Sequence, residues 1–209
     1  MIRQFLTAAV LLAAMSLAPA QNLANSPLQI TKIEIEPNAL TPEYNIGNGP
    51  QRKARSQTWL WVEVSFTYSA APPAPQVLPE LTFNYYILLN NASRTNPTGT
   101  LLTGTVTHTG VTSDKETHHS VMLVSPQTLR GLFDGKPPSN ISSAAVAIGV
   151  TASINGQLVA EQSIGKGKGT RQWWQNFQQG PAGLVLTKDQ TPFAPLFYDY
   201  FEAVKAKGL

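Results

Sequence analysis

The sequence TWLWVEVSFTY at residues 58–68 alternates without interruption and predicts a β-strand at the centre of the fold. Successive side chains of a strand point to opposite faces, so one face here is apolar and the other is mixed. This combination is typical of an antiparallel sheet that packs on one side only. The apolar face comprises Leu60, Val62, Val64, Phe66 and Tyr68, and the mixed face comprises Trp59, Trp61, Glu63, Ser65 and Thr67.

Six further segments have the β-branched and aromatic character of strands, which makes seven in all. A slip in alternation near Thr31 and Lys32 predicts a β-bulge in the first segment. Asn155-Gly156 favours a two-residue type I′ turn between the last two. Short strands without alternating helices predict a mainly β protein, an antiparallel immunoglobulin-like β-sandwich, with a closed barrel as the alternative. The six segments are residues 28–36, 81–89, 100–108, 116–124, 144–154 and 157–164.

Two helices are predicted, one internal and one C-terminal. Ser125 is a suitable N-cap and Pro126 a suitable first residue for a short helix that ends near Phe133. Near the C-terminus, apolar residues recur at helical spacing and predict a helix that closes the core. In the competing interpretation this apolar stripe is exposed and binds a partner. The stripe consists of Leu196, Phe197, Tyr200, Phe201 and Val204.

The first twenty residues have the features of a secretory signal peptide. Arg3 precedes an apolar run, and small residues follow. We expect cleavage after Ala20, so that Ala18, Ala20 and Gln21 form the signal-peptidase site. No later apolar run is long enough to span a membrane, and the mature chain is expected in the periplasm, on the outer surface or in the medium. The predicted organisation is a signal peptide at 1–20 and one sandwich domain at 21–209, with a helical extension over about 170–209.

Composition excludes several classes of protein. The chain has no cysteine, which rules out disulfides, thiolate zinc sites and a cysteine nucleophile. Charged residues make up only 13% of the chain, and its net charge of +3 falls by one when Arg3 is removed with the signal peptide. Such a weak positive charge provides no footprint for nucleic acid. Because the chain can form no disulfide, the domain must be held together by core packing.

The motifs that would indicate catalysis are missing. The GKGKG sequence at residues 165–169 lacks the spacing of a phosphate-binding loop, and no Gly-x-Ser-x-Gly elbow occurs. Glu34 and Glu36 share one strand face, as solvent-exposed carboxylates commonly do. We predict no catalytic residue, no cofactor and no metal.

The three histidines are the remaining candidates for a metal site. His108, His118 and His119 lie on two strands expected to be neighbours. Glu116 is the acid closest to them in the sequence. Two facing imidazoles with one carboxylate make a poor ligand set for zinc or copper.

Trp59, Trp61, Trp173 and Trp174 are the candidate ligand or partner contacts. Aromatic rings on a β-sandwich can stack on sugar rings, which makes a carbohydrate-binding module the natural alternative function. In the other interpretation the four indoles pack beneath the terminal helix. The two interpretations differ in whether the indole faces are open to water.

With the exported sandwich and the tail LTKDQTPFAPLFYDYFEAV at residues 186–204, the chain resembles a group of secreted bacterial immunoglobulin-like proteins encoded beside type IV pilus-like genes. The resemblance implies a cell-surface or pilus-associated role without catalysis. A pilin would have a long apolar N-terminal helix, whereas residues 21–38 are polar and then strand-like. We therefore expect a structural or interaction protein with an envelope or surface protein as partner. A carbohydrate-binding module that binds glycan is the alternative, and an unrecognised enzyme is the second alternative.

Overall fold

The computed structural model describes residue 23 and residues 26–44, 56–92 and 97–206. The predicted signal peptide and its cleavage site at Ala18, Ala20 and Gln21 lie outside these ranges. Ten strands and one α-helix lie within them. The strands are β1 (Leu28–Glu36), β2 (Leu60–Tyr68), β3 (Val77–Leu78), β4 (Leu81–Leu89), β5 (Leu101–His108), β6 (Val111–Thr112), β7 (His118–Val124), β8 (Ala145–Ile154), β9 (Gln157–Gly165) and β10 (Val185–Thr187), and the helix is α1 (Pro126–Leu132).

Eight of the ten strands described form two antiparallel four-stranded sheets. The first sheet has the order β1-β2-β7-β10 and the second the order β5-β4-β8-β9, while β3 and β6 form a separate pair. Setting β3 and β6 aside, the chain therefore crosses between the two sheets four times, from β2 to β4, from β5 to β7, from β7 to β8 and from β9 to β10. This is the strand distribution of an immunoglobulin-like sandwich. The predicted fold class is confirmed, and the barrel alternative is wrong.

Strand β2 occupies the interior position that its sequence predicts. It pairs with β1 on one side and with β7 on the other. Its five alternate apolar residues are at most 1% exposed and face the second sheet across the core. Burying each large apolar side chain stabilises the fold by roughly 1.5–3 kcal/mol, so this strand makes a large contribution to the core.

Several local predictions are confirmed. The register of β1 against β2 shifts between Ile30 and Lys32, which is the expected bulge. The Ser125 hydroxyl accepts a hydrogen bond of 3.1 Å from the backbone N–H of Thr128 and caps α1. Asn155 and Gly156 have φ angles of 51° and 75°, as a type I′ turn requires.

The predicted C-terminal helix is wrong. Within the described range, residues 191–206 form turns and one isolated bridge, and the nearest helical residues are the single 3₁₀ turns Trp173–Asn176 and Lys188–Gln190. Pro195 lies inside the predicted helix and has no N–H to donate to its ladder. Phe197 has a left-handed φ of 55°, which ends any helical turn. The helical spacing therefore reflects packing onto the sandwich rather than a helix face.

Candidate functional site

The C-terminal segment, defined as residues 166–206, covers the outer faces of both sheets. Trp173 and Trp174 pack with Leu88, Leu101 and Ala147 on the outside of the second sheet. On the outside of the first sheet, Phe193 packs against Trp59 and Trp61, with Leu196 and Phe201 beside it. The expectation that the central sheet packs on one side only is therefore wrong. Its mixed face is covered by the chain's own C-terminal segment.

All four tryptophans are buried, between 5% and 7% exposed. Trp59 donates to Thr41 Oγ1 at 3.0 Å and Trp173 to Ser163 Oγ at 3.1 Å. Trp61 meets Phe193 edge to face, and the ring of Trp174 stacks on that of Tyr86 with 4.1 Å between centroids. Sugar stacking needs an open ring face, so the alternative interpretation, in which these four residues contact a glycan, is wrong.

Three polar side chains form a hydrogen-bonded chain inside the core. Tyr85 Oη donates to Ser120 Oγ at 2.8 Å, and Ser120 Oγ lies 2.7 Å from His108 Nε2. His108 Nδ1 lies 3.1 Å from the backbone carbonyl of Glu202. A carbonyl can only accept, so Nδ1 carries the proton and Nε2 accepts from the Ser120 hydroxyl. Burial disfavours the charged form of the ring and so lowers the pKa of His108 to about 4.

His118 lies between two carboxylates. Its Nδ1 is 2.7 Å from Glu202 Oε1, and its Nε2 is 3.1 Å from Asp114 Oδ1. Both hydrogen bonds form together only when each ring nitrogen carries a proton. The side chain of His118 thus connects the turn before β7 with the C-terminal segment.

His119 points to the outer face and contacts Tyr200. The two rings stack with 4.0 Å between centroids, and both side chains bond the same carboxylate oxygen of Glu63. The distances to Glu63 Oε1 are 3.0 Å from His119 Nδ1 and 2.8 Å from Tyr200 Oη. Desolvation, and then the hydrogen bond to Glu63, raise the pKa of Tyr200 to about 12.

The three histidines therefore bind residues 200–202 of the C-terminal segment. The acids beside them are Glu63, Asp114 and Glu202, and not Glu116, which sequence proximity favoured. Strand alternation already places His118 and Ser120 on the inner face of β7 and His119 on the outer face. Glu202 carried no such signal, because its position depends on where a segment without regular structure meets the sandwich.

The Ser120–His108 pair has the contact of a hydrolase dyad without its access. Both side chains are fully buried, and His108 Nδ1 faces a backbone carbonyl instead of an orienting carboxylate. In the part of the chain that the structure describes, no three His, Asp or Glu side chains are placed to hold a metal ion. The hydrogen bonds of this cluster instead hold the C-terminal segment against the sandwich.

The other sequence motifs have structural roles. Glu34 pairs with Lys32 at 2.6 Å on the exposed side of β1, and Glu36 accepts a hydrogen bond of 3.0 Å from the backbone of Asn38. Gly167 of the GKGKG loop lies against Trp173, and a Cβ there would come within 2.1 Å of Trp173 Nε1. The absence of a side chain at this glycine lets the loop lie flat on the indole.

The fold and the buried cluster define a class, an immunoglobulin-like β-sandwich whose C-terminal segment covers both outer faces. A protein-family model matches residues 19–208. The chain therefore belongs to the family that this model describes. A crystal structure of a protein from Akkermansia muciniphila is similar, with a TM-score of 0.62 and 23% identity over 87% of this chain and 96% of that one.

No curated protein matches the chain. Among the described residues, no helix has the length and apolar character needed to cross a membrane.

Proposed function

We propose that the protein is an exported, non-catalytic structural or interaction protein associated with a bacterial pilus or cell surface. The observation that carries the proposal is the family match over residues 19–208, together with the similarity to the Akkermansia protein. Pilus association is supported by the resemblance of the sandwich and of the tail at residues 186–204 to secreted bacterial immunoglobulin-like proteins encoded beside type IV pilus-like genes. The signal peptide predicted at residues 1–20 supports export.

The use of the polar side chains supports a role without catalysis. The buried histidines, Ser120 and Glu202 bond to one another or to the backbone of the C-terminal segment. A catalytic group must meet its substrate at hydrogen-bond distance, and Ser120 has no exposed surface. These groups stabilise the fold, which leaves the surface for partner contacts.

The surface offers contacts for an envelope or pilus protein. Strand β9 ends its sheet and forms a ladder only with β8 among the described strands. An edge of this kind can pair with a strand of another protein.

Localisation in the native bacterium tests the proposal. A tagged chain should be found on the outer surface, sediment with sheared pili and cross-link to a pilus component. A strain without the pilus-like genes is the control and should lose the sedimenting fraction. Retention of the protein in the periplasm, or equal sedimentation from the control strain, would refute pilus association.

A further inference from the structure

We propose that a cleft between the C-terminal segment and the sandwich binds a neutral saccharide. The cleft has a volume of about 280 Å³, and Lys188, Asp189, Tyr198, Phe201 and Glu202 contribute to its lining. We call it the tail cleft. Its volume is near the lower bound of small-molecule sites, roughly 300 Å³, and suits a ligand smaller than a typical drug. The proposal is independent of pilus association.

Tyr198 differs from the neighbouring aromatic residues of the segment because its ring is open to solvent. Phe193, Phe197, Tyr200 and Phe201 each contact another ring. Tyr198 has no ring contact and no hydrogen bond with any described residue, and it is 81% exposed at the cleft. An open aromatic face beside a cleft can stack on the C–H face of a sugar ring.

The backbone beside Tyr198 has an unfavourable conformation. Phe197 has a φ of 55°, which is uncommon for a bulky side chain and costs about 1–3 kcal/mol. Phe197 itself packs edge to face on Trp61, with 6.5 Å between centroids. The left-handed residue reverses the chain so that Phe197 contacts the sandwich while the next ring projects into solvent. Strain of this kind is concentrated at functional sites.

Lys188 supplies donors at the base of the cleft. The residue is 8% exposed, and its ammonium donates to the carbonyl of Ala194 at 2.8 Å. The ring centre of Phe201 lies 5.7 Å away, and no described carboxylate forms an ion pair with this ammonium. Burial lowers the pKa of Lys188. An ammonium has three N–H donors, so further acceptors are needed to compensate for the loss of water.

The charges of the cleft favour a neutral ligand with hydroxyl groups. The Glu202 carboxylate is bound to His118, and the opposite charges of Lys188 and Asp189 offset each other. The Asp189 side chain makes no hydrogen bond with a described residue, and it can only accept. A hydroxyl accepts from Lys188 and donates to Asp189, whereas a phosphate or an amine satisfies only one of them. A saccharide combines such hydroxyls with a C–H face for Tyr198.

The test is an NMR titration of the isotope-labelled full chain with neutral sugars. The probes are glucose, galactose, N-acetylglucosamine, lactose and chitobiose. At least one should shift resonances of Lys188, Asp189 and Tyr198. Tyr198→Ala should weaken its binding by about tenfold or more, because the stacking surface is lost. Val77→Ala is the control and should bind as the unchanged protein does, since Val77 is an apolar residue that is 50% exposed and lies on β3, outside the cleft.

A second variant tests the hydrogen bonds. Lys188→Met keeps the length of the side chain and removes its donors, so sugar binding should weaken while the thermal midpoint is monitored. If this variant does not fold, Asp189→Asn is the alternative and should also weaken binding. The proposal is overturned if no sugar shifts these resonances, if Tyr198→Ala binds as well as the unchanged protein, or if glucuronate or glucosamine binds more tightly than the neutral sugars.

Discussion

His108 is enclosed between the sheets, and its surroundings favour the neutral imidazole. Its pKa falls from 6.5 to about 4, mainly through burial. A lowered folded-state pKa means that the unfolded chain takes up the proton first. The stability contributed by neutral His108 is therefore complete above pH 6.5 and is lost as the pH falls towards about 4. The loss amounts to roughly 3 kcal/mol, since each pKa unit corresponds to about 1.4 kcal/mol.

Chemical denaturation across this pH range checks the prediction. Carboxylates also titrate in this pH range. The informative quantity is therefore the difference in the pH dependence of the unfolding free energy between the unchanged protein and His108→Gln. The glutamine has a donor and an acceptor but does not titrate. The free energy of unfolding of the His108→Gln variant should fall less steeply between pH 6.5 and about 4 than that of the unchanged protein. Equal slopes for both proteins would mean that His108 is not the group responsible.

The close packing of the Trp174 indole on β8 leaves no room for a side chain at Gly149. A Cβ at this position would lie 2.5 Å from an atom of the Trp174 ring, whereas a Cβ at Gly131 in α1 would meet nothing within 4 Å. Gly149→Ala should therefore lower the free energy of unfolding by about 1–3 kcal/mol through overpacking. The control, Gly131→Ala, should raise it by up to about 1 kcal/mol through helix propensity. Thermal melts of both variants decide whether the C-terminal segment packs on this face as described.

The stability effects of two phenylalanine substitutions distinguish the observed irregular C-terminal segment from the helix predicted from the sequence. Phe193 is 4% exposed and contacts both Trp59 and Trp61 edge to face, whereas Phe197 is 61% exposed. Phe193→Ala should cost about 3–5 kcal/mol, and Phe197→Ala should cost less than about 1 kcal/mol. The predicted helix placed Phe197 on the buried stripe and left Phe193 outside it. A larger loss from Phe197→Ala in denaturant unfolding would contradict the structure.

Elements defined by local pattern were predictable from sequence, and the C-terminal segment was not. Strand β2, the cap at Ser125 and the turn at Asn155-Gly156 depend on neighbouring residues, which the sequence displays directly. The segment depends on distant groups: Glu202 donates its N–H to the carbonyl of His119 at 3.1 Å, and Ala203 accepts from Thr109 at 3.0 Å. Such contacts compete with the helix and leave no periodic signal.

For the whole molecule, the C-terminal segment links the two sheets. Glu202 bonds to β7 of the first sheet, and Val204 forms an isolated bridge with His108 of β5 in the second. The segment thus covers strand edges as well as the outer face that carries Trp59 and Trp61. Exposed edges and apolar faces promote association, so the same contacts that stabilise the sandwich also protect it from aggregation.

Deletion of residues 192–209 tests this role. The truncated protein loses Phe193, Leu196 and Phe201 from the cluster around Trp59 and Trp61. One buried Phe is worth about 3–5 kcal/mol, while a whole domain is often stable by only about 5–15 kcal/mol. We expect a lower thermal midpoint, aggregation and rapid proteolysis. Removal of residues 207–209 alone is the control, because none of the contacts named above involves them. An unchanged midpoint after the longer deletion would show that the tail adds little stability and would favour a partner interface there.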